Sequence, residues 1–96
     1  MDSQSNQKDI DMKNDKARHN IELANQYRKH KNFDGGVITI YKGEVQGWSN
    51  ELRNPERWAP GCIAVNEDGD QWVTIGGTKY NGAERWEVLN LEKHKL

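Results

Sequence analysis

Three histidines, one cysteine and one cluster of carboxylates are the side chains in this sequence whose types could carry a reaction or hold a metal. Their spacing argues against both. His19 and His30 stand eleven positions apart, about three helical turns, too far to share one ion. His94 lies in a polar stretch well away from them. None neighbours a nucleophile. Cys62 opens the apolar run Cys62-Ile63-Ala64-Val65, where a buried, inert thiol is expected. A single cysteine forms no internal disulfide and no cysteine-based metal cluster. Glu67-Asp68-Gly69-Asp70 lacks the loop length and closing glutamate of an EF-hand; its Asp-Gly step is a hairpin signal instead. Gly76-Gly77-Thr78-Lys79 does not run into a helix as a phosphate-binding loop would, so these glycines serve turn geometry. No catalytic residue, metal site or cofactor is expected, and the chain is read as a non-enzyme.

Contact chemistry is better represented. Trp48, Trp58, Trp72 and Trp86 all fall in the later part of the chain, and the first 47 residues hold no tryptophan. Each can bury roughly 200 Å². Trp48, Trp58 and Tyr80, with Asn50, Arg53, Arg57 and Arg85, make up a candidate partner-binding set, because Trp, Tyr and Arg dominate interface hot spots. The same residue types can stack single-stranded bases, or can pack internally as Arg on Trp beneath a long loop. A nucleic-acid reading would add the basic segment Arg28, Lys29 and Lys31.

These side chains need elements to position them. Asp15 could cap a helix running to about Lys31, with Ala17, Ile21, Ala24 and Tyr27 or Arg28 forming a thin apolar stripe and Arg28 to Lys31 placed favourably for the helix dipole. Residues 1–13 are polar and read as a disordered tail. Gly35-Gly36 ends the helical pattern, and β-like runs follow. Val37 to Tyr41 and Glu44 to Trp48 flank the Lys42-Gly43 turn. Asn50 to Trp58 reads as a loop or one helical turn. Cys62 to Val65 and Gln71 to Ile75 flank the acidic hairpin, and Glu84 to Leu89 makes a fifth strand. The expected fold is α+β: an N-terminal helix over residues 14–31 and a compact antiparallel meander of four or five strands over residues 37–91. Its candidate core is Val37, Ile38, Ile40, Val45, Ile63, Val65, Val73, Ile75, Trp86 and Val88. Neighbouring side chains on a strand point to opposite faces, and Trp72-Val73, Ile63-Ala64 and Ile40-Tyr41 make both faces partly apolar. One face therefore needs a cover: the helix, a second copy of the chain, or a target protein.

Composition narrows the class. A hydrophobic share of 33% and a mean hydropathy of −1.10 imply a small core in one domain. No apolar run is long enough to span a membrane, and the opening residues lack the pattern of a secretory signal, so a cytoplasmic location and no membrane partner are expected. The net charge is −1. Residues 1–31 carry seven Lys/Arg against five Asp/Glu, and residues 32–96 carry seven against ten. That offset is too mild for a basic nucleic-acid footprint or for a carboxylate-dense mimic of DNA.

Three segments resemble a known family. They are Val45-Gln46-Gly47-Trp48-Ser49-Asn50-Glu51-Leu52-Arg53-Asn54-Pro55, then Pro60-Gly61-Cys62-Ile63-Ala64-Val65 with Gly69 and Trp72, and then Gly76-Gly77-Thr78-Lys79-Tyr80-Asn81-Gly82-Ala83-Glu84-Arg85-Trp86. This pattern of spaced Gly, Trp, Pro and Asn over residues 37–88 is similar to small plasmid and mobile-element proteins, the antirestriction proteins of the ArdR type. The resemblance implies a non-enzymatic accessory factor that binds a host defence protein, of restriction or similar type, and carries over no catalytic residue. A small nucleic-acid-binding protein, or a domain that self-associates as a homodimer through its second sheet face, is the alternative reading.

Overall fold

Alternating glycine corners and short β-branched runs fold as their pattern predicts. The computed structural model describes the backbone of residues 2–89 and the side chains of residues 16–89; the polar stretch with His94, which reads as a loose tail from Glu92 to Leu96, lies outside the described residues. The element order is a helix α1 (Asp2–Lys31), strands β1 (Val37–Tyr41) and β2 (Glu44–Ser49), a short 3-10 helix η1 (Pro55–Arg57), and strands β3 (Ile63–Asn66), β4 (Gln71–Ile75) and β5 (Arg85–Val88). The strands form one antiparallel sheet in the order β2-β1-β3-β4-β5. The fold is α+β. Hairpin neighbours follow one another except at one place: the chain leaves β2 and must cross β1 to enter β3.

The helix is longer than its apolar stripe. Residues 2–13 continue α1 instead of forming a disordered tail, and Asp15 lies inside the helix, not at its cap. The physical reason is local: the segment contains no Gly or Pro, and its Gln, Lys and Met residues are good helix formers, so nothing stops the backbone from continuing. Past Lys31, Asn32 takes a positive φ of 60° and the Phe33 amide bonds back to the Arg28 carbonyl at 3.0 Å, a helix-ending turn.

The stripe docks on the face carrying Ile38, Ile40, Ile63 and Val65. Ala24, Ile38, Ile40 and Val65 are fully or almost fully buried, with Ile21, Leu23, Tyr27, Val45 and Trp48 packed around them. Val45 and Trp48 are three residues apart and would point to opposite faces of a regular strand. A bulge brings both inward: Thr39 pairs with Gly47 and Ile40 with Val45, so Gln46 is the extra residue.

Two buried polar side chains pin the helix. Gln71 is 1% exposed and donates to the Ala17 carbonyl at 2.9 Å while accepting from Asn20. Arg28, 7% exposed, donates through Nη2 to the carbonyls of Gly36 at 2.9 Å and Val65 at 3.0 Å. Its Nη1 is buried without a partner among the described residues. Burial lowers the Arg28 pKa from its ordinary value, and the nearby Glu67 charge opposes that shift.

The opposite face is covered in part by the chain itself. Thr39, Cys62, Ala64 and Thr74 on this side are 2% exposed or less. The connection from β2 to β3 lies over them. The Thr74 hydroxyl accepts from the Cys62 amide and donates to the Ala59 carbonyl, both at 2.8 Å, and the Trp86 indole donates to the Arg53 carbonyl at 3.3 Å. The part of this face around Thr74 and Trp86 is thus covered by the connection itself. Of the candidate core, Val88 is corrected: it is 61% exposed, at the end of the edge strand β5.

Candidate functional site

The surface most suited to contact forms where the roof meets the β4–β5 loop. Pro55 starts η1, where its missing amide costs no hydrogen bond, after Asn54 turns the chain with a φ of 53°. The Ala83 amide donates to the Trp58 carbonyl at 2.9 Å, and Gly82 and Thr78 bond each other across the loop. Gly82 has a φ of +91°, and a Cβ there would run into the Glu56 carbonyl, so only glycine lets this loop stand against η1.

This corner brings together Arg53, Arg57, Trp58 and the loop carrying Tyr80. Tyr80 is 86% exposed, with the Lys79 ammonium 5.4 Å from its ring centroid. Arg53 and Arg57 are exposed and Trp58 is half-buried. Arg53 lies 3.5 Å from Glu51, a solvent-exposed pair of little energetic weight. Arg57 forms no ion pair with a described residue.

Other candidates lie elsewhere. Arg85 sits on β5 next to Trp86 and so points to the helix side of the sheet, where it pairs with Glu87 at 3.0 Å. Trp48 is at the far edge, on β2. Its ring stacks on Phe33 with centroids 4.7 Å apart, and its indole donates to the Gly35 carbonyl at 2.9 Å, so its main work is to close the helix end of the core. Asn50 is exposed just beyond β2. Among the residues considered for nucleic acid, Lys29 and Lys31 are exposed. Arg28 is not: its guanidinium is committed to backbone carbonyls inside the fold, which corrects its reading as a phosphate contact.

The chemistry-bearing groups are dispersed. His19 and His30 are exposed, and His19 lines an open trough of about 600 Å³ with Lys16, Asn20, Lys42 and Ile63. Cys62 is 2% exposed. Desolvation raises its thiol pKa, with the Thr74 and Ala59 hydrogen bonds acting in the opposite direction. The described residues contain no group of three or more His, Cys, Asp or Glu arranged to hold a metal, and no described helix is long and apolar enough to cross a membrane. No family model matches the chain, and no curated protein or solved structure is significantly similar to it.

Sequence reasoning found the residues of the corner but not their grouping. Trp86, expected in the core, is half-buried, and its indole also donates to the Arg53 carbonyl. Pro55 and Gly82 were the available signals, since both restrict how the two loops can meet.

Proposed function

We propose that this chain is a non-enzymatic, protein-binding accessory factor whose contact surface is the corner built by Arg53, Arg57, Trp58 and Tyr80. The observation that carries this reading is an almost fully exposed tyrosine on a loop seated against η1, the turn that carries Arg57, an exposed arginine with no ion-pair partner among the described residues. Aromatic and Arg side chains presented from a fixed backbone lose little entropy on binding and suit the anchor role. The resemblance to antirestriction proteins of mobile elements supports a host defence protein of restriction or similar type as the partner. A DNA mimic is disfavoured by the net charge of −1, so inhibition would work by contact instead of by charge imitation. A cytoplasmic site of action fits such a partner.

The test is affinity capture from host-cell extract with nuclease treatment, comparing the wild-type chain with Arg53→Glu/Arg57→Glu and Tyr80→Ala. A stoichiometric defence protein should be captured by the wild type and lost by both variants. Their melting temperatures should hold, since exposed substitutions usually change stability by about 0.5 kcal/mol or less. Capture that is unaffected by both variants sinks the corner as the contact. Capture that disappears with nuclease moves the assignment to nucleic acid.

A further inference from the structure

The two edges of the sheet are unlike. At β2 the Gln46 bulge breaks the ladder, a device that blunts an edge against further pairing. From Arg85 to Val88 the register of β5 is constant, Trp72 with Val88, Val73 with Glu87, Thr74 with Trp86 and Ile75 with Arg85, the Glu84 amide bonds inward to the Ile75 carbonyl at 3.0 Å just before it, and no strand among the described residues lies beyond it. The Leu89 amide donates to the Gln71 carbonyl at 2.9 Å. In an antiparallel pair, inward-bonding residues alternate with outward-facing ones. Arg85 and Glu87 therefore spend their backbone groups on β4, and the amides and carbonyls of Trp86 and Val88 face outward.

We propose that β5 is a self-complementary edge that pairs antiparallel with β5 of a second copy about a two-fold axis through Trp86. Among the registers centred on Arg85, Trp86 or Glu87, the charges select this one. Centred on Trp86, Arg85 of each copy stands opposite Glu87 of the other on the helix side, and the two indoles meet on the loop side. Opposite charges and aromatic pairs directly across strands are both favourable. Centring on Glu87 sets two carboxylates face to face, and centring on Arg85 sets two guanidinia face to face. A two-fold placed between residues opposes outward backbone groups to inward ones. Arg85, which in one copy lies 3.0 Å from Glu87 and 3.6 Å from Glu84, exchanges its Glu87 partner for that of the other copy. The result is a closed, isologous contact in which the sheet runs continuously through both copies. It uses the edge of the sheet, because the β2–β3 connection already covers the part of the second face around Thr74 and Trp86. It is independent of the corner assignment.

The contact is one short strand, and small interfaces are weak, so the mass should be followed by sedimentation equilibrium up to about 1 mM chain. Wild type should show a reversible monomer–dimer equilibrium. Arg85→Glu alone and Glu87→Arg alone should each be monomeric over that range, with unchanged circular dichroism. An equimolar mixture of the two single variants should regain the dimer, since each supplies the charge the other lacks, and the double variant R85E/E87R should dimerise by itself. A purely structural role for the pair predicts no rescue on mixing. A wild type that stays monomeric at the highest concentration, single variants that dimerise undiminished, or a mixture of folded variants that stays monomeric would each overturn the proposal.

Discussion

The two faces of the sheet are closed by different physics. On one side a regular helix lays an apolar stripe on Ile38, Ile40 and Val65, and its placement is fixed at two ends by Gln71 and Arg28. On the other an irregular connection is fixed by the Thr74 hydroxyl, by the Trp86 indole and by a few backbone bonds, among them Ala83 to Trp58 and Gly61 to Thr74. The helix side depends on area removed from water, which is non-directional and large. The roof depends on a few directional bonds, each worth about 1 kcal/mol net. This is also why the candidate contact corner lies on the roof: backbone held by few bonds can carry side chains outward without disturbing the core.

Three experiments break or sharpen that contrast. Ile38→Ala, at a fully buried position under the helix, should cost about 3 kcal/mol; urea unfolding followed by circular dichroism measures it, and a loss below about 1 kcal/mol would mean the helix side is not the main source of stability. Thr74→Val should cost about 1–2 kcal/mol, because it leaves the Cys62 amide and the Ala59 carbonyl without their partner. Hydrogen exchange should speed up in residues 59–62 and stay unchanged in β1. Equal acceleration in β1 would show that the two faces open as one unit.

The smallest effect is a pH dependence from Cys62. Burial raises the thiol pKa in the folded state, so the unfolded chain loses this proton first. The contribution is fully present below the ordinary thiol pKa and is lost as pH rises from there through the raised folded value. Between about pH 7 and about pH 10, wild type should lose more stability than Cys62→Ala. An equal loss in both would show that the thiol titrates alike in the folded and unfolded chains.

Most of the sheet was legible because period-2 alternation and turn chemistry are local. Val37–Tyr41 and Gln71–Ile75 stand as expected, and the other three strands differ by a residue at their ends. The single helical turn before Trp58 was visible from Pro55. The bulge at Gln46 was not, because nothing in Glu44–Ser49 by itself requires an extra residue; pairing with β1 does, in order to turn both Val45 and Trp48 inward. The buried polar residues Thr39, Gln71 and Thr74 were also missed, since their burial depends on partners 50 or so residues away in one case, Ala17 for Gln71, and on the roof in another.

The sequence by itself determined the class: a helix with a thin stripe, five strands punctuated by glycines, and an aromatic-rich, nearly neutral surface lacking clustered reactive groups. These follow from local periodicity, backbone preference and composition. Only the tertiary structure decided which cover each face receives, that Arg28 turns inward, that Arg53, Arg57, Trp58 and Tyr80 share a corner while Trp48 and Arg85 do not, and that one sheet edge is blunted and the other regular. Those outcomes depend on which distant backbone groups meet, and a hydrogen bond or a packed side chain gains its energy only once the chain has brought both partners together.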